Sequence, residues 1–262
     1  MESCVSEPIQ HVVIDGIAHI VFNRPAVLNA MDAAMRVDFI ACLHAFNADP
    51  SINAVMISGA GERAFSAGQD LGEALGFEGE SAITAWMHHQ GAVIAAVRDM
   101  DKPVVAIFNG VATGVGFQIG LAADWRVTYP DVRLGQPEVK VGLASIYGSW
   151  LMSQHLGHAT NQALSLTGDL IDGRRAAALG LINELVERDA LLDTGRAAAQ
   201  RLAALPPAAV RLTKQRFREQ SQPAFEATCE AAVAAQIEAY ASGEPQRRMQ
   251  AFIDAREAGK GG

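Results

Sequence analysis

Two glycine-containing turns, Phe65-Ser-Ala-Gly-Gln-Asp-Leu71 and Asn109-Gly-Val-Ala-Thr-Gly-Val-Gly116, have the residue types and spacing for chemistry. The second follows Lys102-Pro-Val-Val-Ala-Ile-Phe108, a β-branched run that reads as a buried strand entered through a proline. Behind it, Phe117-Gln-Ile-Gly-Leu-Ala-Ala123 reads as a helix. Glycines at 110, 114 and 116 allow a sharp turn whose backbone N–H groups are left uncovered by side chains. A strand, a glycine turn and a helix N-terminus together aim N–H donors at one point, which suits an anion or a developing oxyanion. The same pattern also fits a tight strand-to-helix connection that binds nothing.

Other constellations carry less. His88 and His89 are consecutive, so on a helix they point about 100° apart and form no ligand pair. His155 and His158 have an i, i+3 spacing, but no carboxylate or cysteine cluster accompanies them, so no metal is expected. Ser145, in Gly142-Leu-Ala-Ser-Ile-Tyr147, lacks the final glycine of a nucleophile elbow. Gly114-Val-Gly-Phe-Gln-Ile-Gly120 misses the dinucleotide-binding spacing by one residue.

The elements that must position the turns follow from hydrophobic periodicity. Residues 9–14 and 17–22 read as a hairpin around Asp15-Gly16, and Asp32 caps a helix through about Ala48. Ala54-Val-Met-Ile-Ser58 is a buried strand, 81–98 a helix, and Trp125-Arg-Val-Thr-Tyr129 a further strand. Leu134-Gly-Gln-Pro-Glu-Val139 is expected to be extended because of Pro137. After Gly142 the chain reads as helical apart from a strand at Leu181-Ile-Asn-Glu-Leu-Val186, with helix breaks at Pro206-Pro207, Pro223 and Pro245. The result is an α/β layer fold over residues 1–187 and an all-helical region over 188–262. A strand, glycine turn and helix scheme recurs at 54–75 and 103–123.

With 262 residues, half of them apolar, the chain can bury a sizeable core. A net charge of -8 with no basic run argues against a nucleic-acid partner. Cys4, Cys42 and Cys229 are too few and too scattered for a disulfide frame. No basic, apolar leader and no span of membrane length are evident, so a cytoplasmic protein without a membrane partner is expected.

Five stretches together resemble the crotonase (enoyl-CoA hydratase/isomerase) superfamily, over residues 8–257. They are the two turns, Ala122-Ala-Asp124, Gly135-Gln-Pro-Glu138 and Gly180-Leu-Ile-Asn-Glu-Leu-Val186, in the family's order and at its spacing. The resemblance implies a spiral of β-β-α units, a C-terminal helical region that makes homotrimers or dimers of trimers, and acyl-CoA thioester substrates. Coenzyme A is then part of the substrate, and no separate cofactor is implied. It also implies that the thioester carbonyl sits between the N–H groups of Gln69 and Val115, which stabilise an enolate more than the ground state. Many relatives have glycine where this chain has Val115, and valine disfavours positive φ.

Hydratases of the family resemble one another in carrying two glutamates, and at those positions this chain has Gln118 and Glu138. A glutamine cannot exchange a proton at neutral pH, whereas a glutamate raised by burial can. Hydration wants two carboxylates; moving a double bond needs one base, and single-carboxylate isomerases of the family can keep the one at the Glu138 position. Isomerisation is therefore the first reading, with weakened hydration beside it. A thioester hydrolase or decarboxylase and a catalytically silent acyl-CoA-binding member are the alternatives. Substrate contacts are expected from Arg24, Ala26, Leu28, Ala67, Asp70, Leu71, Gly114, Pro137 and Leu143, and the helix at 81–98 is expected to wall the acyl pocket, with one of His88 and His89 facing it. Ala26 and Ala255 stand where relatives have CoA-binding lysines, with Arg24 and Arg256 as neighbouring cations.

Overall fold

The structure, a computed structural model, describes residues 7–258, with side chains at the C-terminal end as far as residue 255. Strands β1 (Ile9–Ile14) and β2 (Ile17–Phe22) form the hairpin, with Ile14 opposite Ile17. Asp15 and Gly16 both take positive φ, 50° and 74°, as a two-residue turn between twisted strands requires. Helix α1 (Ala33–Ala48) starts where Asp32 accepts a hydrogen bond from the Met35 N–H at 2.9 Å.

The chain then repeats one scheme. β3 (Ala54–Gly59), β4 (Ala64–Ser66) and α2 (Leu71–Leu75) form one β-β-α unit, followed by the long helix α3 (Gly79–Arg98). β5 (Val104–Phe108), β6 (Val111–Thr113) and α4 (Val115–Ala122) form the next. β7 (Trp125–Thr128) and β8 (Arg133–Gly135) begin a third, which leads to α5 (Ile146–Ser153) and α6 (His158–Thr167). β9 (Ile171–Asp172), α7 (Gly173–Ala178) and β10 (Glu184–Leu185) complete the α/β part. In each unit the first strand joins a six-stranded sheet, β1-β2-β3-β5-β7-β10, and the second a four-stranded sheet, β4-β6-β8-β9. Each unit advances one strand along both sheets, which is the expected spiral.

An aromatic row fills the space between the sheets. Phe22 meets Phe65, and Phe65 meets Phe108, edge to face with centroids 5.2 Å apart, and Phe117 continues the row. The outer face of the larger sheet is covered by α8 (Leu191–Ala203), whose Leu191, Ala198 and Ala199 pack on Met56, Val105 and Ile107.

Four readings of the sequence change. β4, β6, β8 and β9, of two or three residues, are too short to show a periodicity. The strand expected over 181–186 shrinks to β10, because Asn183 accepts from the Arg126 N–H and the Arg126 guanidinium takes the Leu181 carbonyl. The extended stretch ends at Gly135: Pro137, with φ −83° and ψ 10°, leads into a 3-10 turn over Glu138–Val141. Pro223 does not break the tail but lies inside the 35-residue α9 (Pro207–Ala241), whose Phe225, Thr228, Ala232 and Tyr240 are buried. That packing, chiefly on α3 and α5, holds the helix across the missing N–H. Pro207 opens α9, and Pro245 falls in the first turn of α10 (Glu244–Ala258).

The core runs unbroken across residue 187. Phe225, Ala232, Tyr240 and Met249 from α9 and α10 belong to the same buried cluster as the sheets, and the Tyr240 hydroxyl donates to the Ala74 carbonyl at 3.0 Å. The helical region is thus a wall of its own chain's interior.

Candidate active site

The two glycine turns meet. Gly68 has φ +95° and Gly114 φ +54°, conformations that side chains resist. A Cβ at Gly68 would lie 2.8 Å from the Thr113 carbonyl oxygen, and one at Gly114 would lie 3.6 Å from Gly68 Cα. The Asn109 amide ties the loops behind them, accepting from the Gly59 N–H and donating to the Gly59 and Gly61 carbonyls. The positive φ falls on Gly114 and not on Val115, which is the first residue of α4, so valine costs the turn nothing.

Both turns leave an N–H free. The Gly68 carbonyl accepts from the Met31 N–H, and the Asp70 N–H donates to the Met31 carbonyl. Alternation along this extended stretch turns the Gln69 N–H to the other side. The Val115 N–H, at a helix start, has no carbonyl four residues behind it to meet. Among the described residues neither N–H has a partner.

The first turn is braced from behind by residues the sequence did not single out. The Gln69 side-chain oxygen accepts from Trp86 Nε1 at 2.9 Å and Arg36 Nη1 at 3.0 Å. Arg36, only 2% exposed, grips Glu73 through both terminal nitrogens at 2.9 Å, and Glu73 in turn accepts from the Gln69 amide.

Between the turns opens a cavity of about 690 Å³. Gln69, Val115, Gln118, Glu138, Leu28, Ala67, Asp70, Leu71, Gly114, Pro137 and Leu143 all line it, as expected. Helix α3 does supply a wall, but with Trp86, Met87 and Gln90; His88 and His89 are exposed. Ala232 and Gln236 of α9, which packs on α3, and Phe252 and Ile253 of α10 line it as well.

Arg24 and Ala26 do not reach the cavity. Arg24 is spent on Asp70 at 2.9 Å, on Asp32 at 3.1 Å and on the Ala30 carbonyl. Ala26 lines a separate hollow of about 230 Å³. Ala255 is exposed on α10, and the Arg256 side chain lies outside the described residues. The lysine that does line the cavity is Lys140, half exposed and paired with Asp169 at 2.8 Å.

Glu138 sits beside the second turn: a Cβ at Gly114 would be 3.5 Å from its Oε1. That oxygen accepts from Gln118 Nε2 at 3.0 Å, and Gln118 Oε1 accepts from Gln90 Nε2 at 3.1 Å. Gln136, buried beneath, places one end atom of its amide 2.6 Å from Glu138 Oε1 and 3.2 Å from Oε2. With nitrogen there the amide donates to a carboxylate; with oxygen there it accepts the proton of a carboxylic acid. Burial pushes Glu138 up to about 7, against hydrogen bonding from its own backbone, the nearby Ser145 hydroxyl and the Gln118 amide, which hold it down. Glu138 is therefore balanced between its two protonation states near neutrality, with a neighbour that fits either. The other acid in the lining, Asp70, is committed to Arg24 and to the Gly72 N–H at the start of α2.

The Gln90–Gln118–Gln136 chain around Glu138 was missed in the sequence except for Gln118. Amides carry no spacing signature, and Gln90 and Gln118 are brought together across 28 residues.

Three comparisons agree with this geometry. A family model for enoyl-CoA hydratase/isomerase matches residues 13–259. The chain is 31% identical to (E)-benzylidenesuccinyl-CoA hydratase of Thauera aromatica, covering 79% of this chain and 81% of that protein. It is 34% identical to carnitinyl-CoA dehydratase of Citrobacter koseri, covering 79% and 78% respectively. The crystal structure of an enoyl-CoA hydratase/isomerase from Mycobacterium paratuberculosis superposes with a TM-score of 0.86 at 26% identity, over 93% of this chain and 98% of that one.

Proposed function

Since the chain belongs to the enoyl-CoA hydratase/isomerase family, we propose that it moves the double bond of an enoyl-CoA thioester, with Glu138 as its only proton-transferring residue. The thioester carbonyl accepts hydrogen bonds from the Gln69 and Val115 N–H groups. Ionised Glu138 takes a proton from the carbon between the carbonyl and the double bond. Charge moves to the carbonyl oxygen, where the two fixed donors meet it; such a donor is worth about 10²–10³ in rate. Protonated Glu138 then returns the proton to the far end of the former double bond. The substrate carries its own coenzyme A, and the reaction draws on no further cofactor.

The single observation behind this reading is the pairing at 3.0 Å of Glu138 with an amide, Gln118, and not with a second acid. The amide holds the carboxyl in place and exchanges no proton. Weak hydration is the neighbouring reading, since water admitted beside Glu138 would find one base but no separate acid.

Purified protein offered 3-enoyl-, 2-enoyl- and saturated acyl-CoAs tests this. Conversion of the 3-enoyl ester to the conjugated 2-enoyl ester is expected. Release of free CoA from every ester would make it a hydrolase, and binding without turnover a silent member. Glu138→Gln should bind esters and lose about 10²–10⁴ in turnover, the usual worth of a positioned acid/base group. Retained double-bond shift in that variant would remove Glu138 from the role.

A further inference from the structure

Behind the first turn a charge is buried on terms that stability alone does not explain. Arg36 is buried with Glu73 as its partner, and such a pair is often no more stabilising than apolar side chains of the same volume. Arg36 also leaves its Nε buried without a hydrogen-bond partner among the described residues, which is unfavourable. What the placement does achieve is seen at its terminal nitrogens.

Nη1 reaches the Met31 carbonyl at 3.3 Å, Gln69 Oε1 at 3.0 Å and Glu73 Oε2 at 2.9 Å. Met31 and Gln69 are the two residues of an isolated parallel β-bridge, so one nitrogen grips both sides of it. The bridge uses the Gly68 carbonyl and the Asp70 N–H, both on Met31, and this leaves the Gln69 N–H to point the other way. The Gln69 side chain has one orientation open to it. Guanidinium and indole nitrogens only donate, so its oxygen faces Arg36 and Trp86, and its nitrogen faces Glu73. Arg36 itself does not line the cavity.

We propose that Arg36 is a positioning residue for the reaction: by holding Met31 and Gln69 together it fixes the direction of the Gln69 N–H that the thioester carbonyl meets. The inference rests on the carbonyl site proposed above. Charge developing on the carbonyl oxygen rewards a fixed donor more than the neutral carbonyl does, so loosening that donor slows turnover and spares ester binding.

Two variants loosen it from opposite ends. Arg36→Met combined with Glu73→Gln removes the grip without stranding a charge. Gln69→Met keeps the backbone N–H but takes away the amide that Arg36 and Trp86 hold. Each is expected to lower kcat for the double-bond shift about ten- to hundredfold, less than outright loss of a donor, with KM nearly unchanged. The readout that a merely structural role would not move is the infrared carbonyl stretch of a bound saturated acyl-CoA, isotope-labelled at the thioester carbonyl. In the unaltered protein the stretch should lie below that of the free ester, and in both variants it should return toward the free value. Should the double variant fail to fold, Gln69→Met carries the same test. A stretch displaced as far in the variants as in the unaltered protein would overturn the inference and leave the isomerase reading standing. So would a raised KM with kcat unchanged. An undisplaced stretch in the unaltered protein would defeat the carbonyl site and this inference with it. A displaced stretch that the variants lose, in a protein that shifts no double bond, would defeat the isomerase reading alone.

Discussion

Replacing Gln118 with glutamate puts a second carboxyl where the first already has a hydrogen-bond partner at 3.0 Å. Two unit charges about 4 Å apart repel by roughly 4 kcal/mol at an effective dielectric of about 20. At about 1.4 kcal/mol per unit, that is roughly three pKa units between the first and second ionisation of the pair. Glu138 alone is already raised to about 7, so the pair holds one proton and one charge from about pH 7 to roughly three units above it. Gln90 Nε2, which now donates to Gln118 Oε1, would donate to the new carboxylate and keep it in register. One member can then take a proton from water while the other delivers one to carbon, which is what hydration wants. Supplying a positioned acid or base is worth about 10²–10⁴, so a gain in hydration of 2-enoyl-CoA of at least about 10² is expected. The assay follows loss of the conjugated thioester's ultraviolet absorbance, with binding of a saturated acyl-CoA as the control for an intact site. Unchanged hydration in a folded, ester-binding Gln118→Glu protein would refute the reasoning and move the limit to the pocket walls.

Further expectations can be checked directly. Glu138 rises from 4.5 to about 7 on folding, so the folded protein holds a proton that the unfolded chain has lost, and stability should fall as pH rises between those values. Denaturant melts should show that slope in the native protein and lose it in Glu138→Gln; parallel slopes would mean that the carboxyl is not raised. The same ionisation makes the base, so turnover should climb through about pH 7 and level off above it. Lys140→Ala should raise KM for acyl-CoA and leave kcat nearly unchanged if this lysine meets the CoA phosphates; an unaltered KM would exclude it. Light scattering at micromolar concentration should give a trimer or dimer-of-trimers mass, since α9 leaves Leu212 and Phe217 more than half exposed, at 56% and 66%; a monomer mass would remove that expectation.

The parts of the site that were legible in the sequence are those fixed by backbone geometry. Gly68 and Gly114 carry the positive φ of the two turns, and β3 and β5, which open the two units, begin in apolar runs. Asp32 announced its helix by being a cap. Side-chain partnerships between distant elements left no such trace. Arg36 and Glu73 lie 37 residues apart and look like ordinary charges on two helices, yet they pair behind Gln69 and fix the first turn. Gln136 was visible in the Gly-Gln-Pro-Glu stretch, but its contact with Glu138 depends on the 3-10 turn, which local preference argued against. The histidine pair on α3 drew attention by residue type, while the helix phase turned Gln90 inward instead.

The amides around Glu138 also decide how the protein responds to its ionic surroundings. Gln90, Gln118 and Gln136 are neutral dipoles, so when Glu138 is protonated this corner presents no net charge to an entering acyl chain. Dissolved salt weakens attraction between charges over about 10 Å at 0.1 M but barely touches short contacts between neutral groups. Capture of the acyl end should thus be nearly indifferent to ionic strength. Any salt sensitivity of binding would then report on the charged groups elsewhere in the lining, such as Lys140 and Asp70.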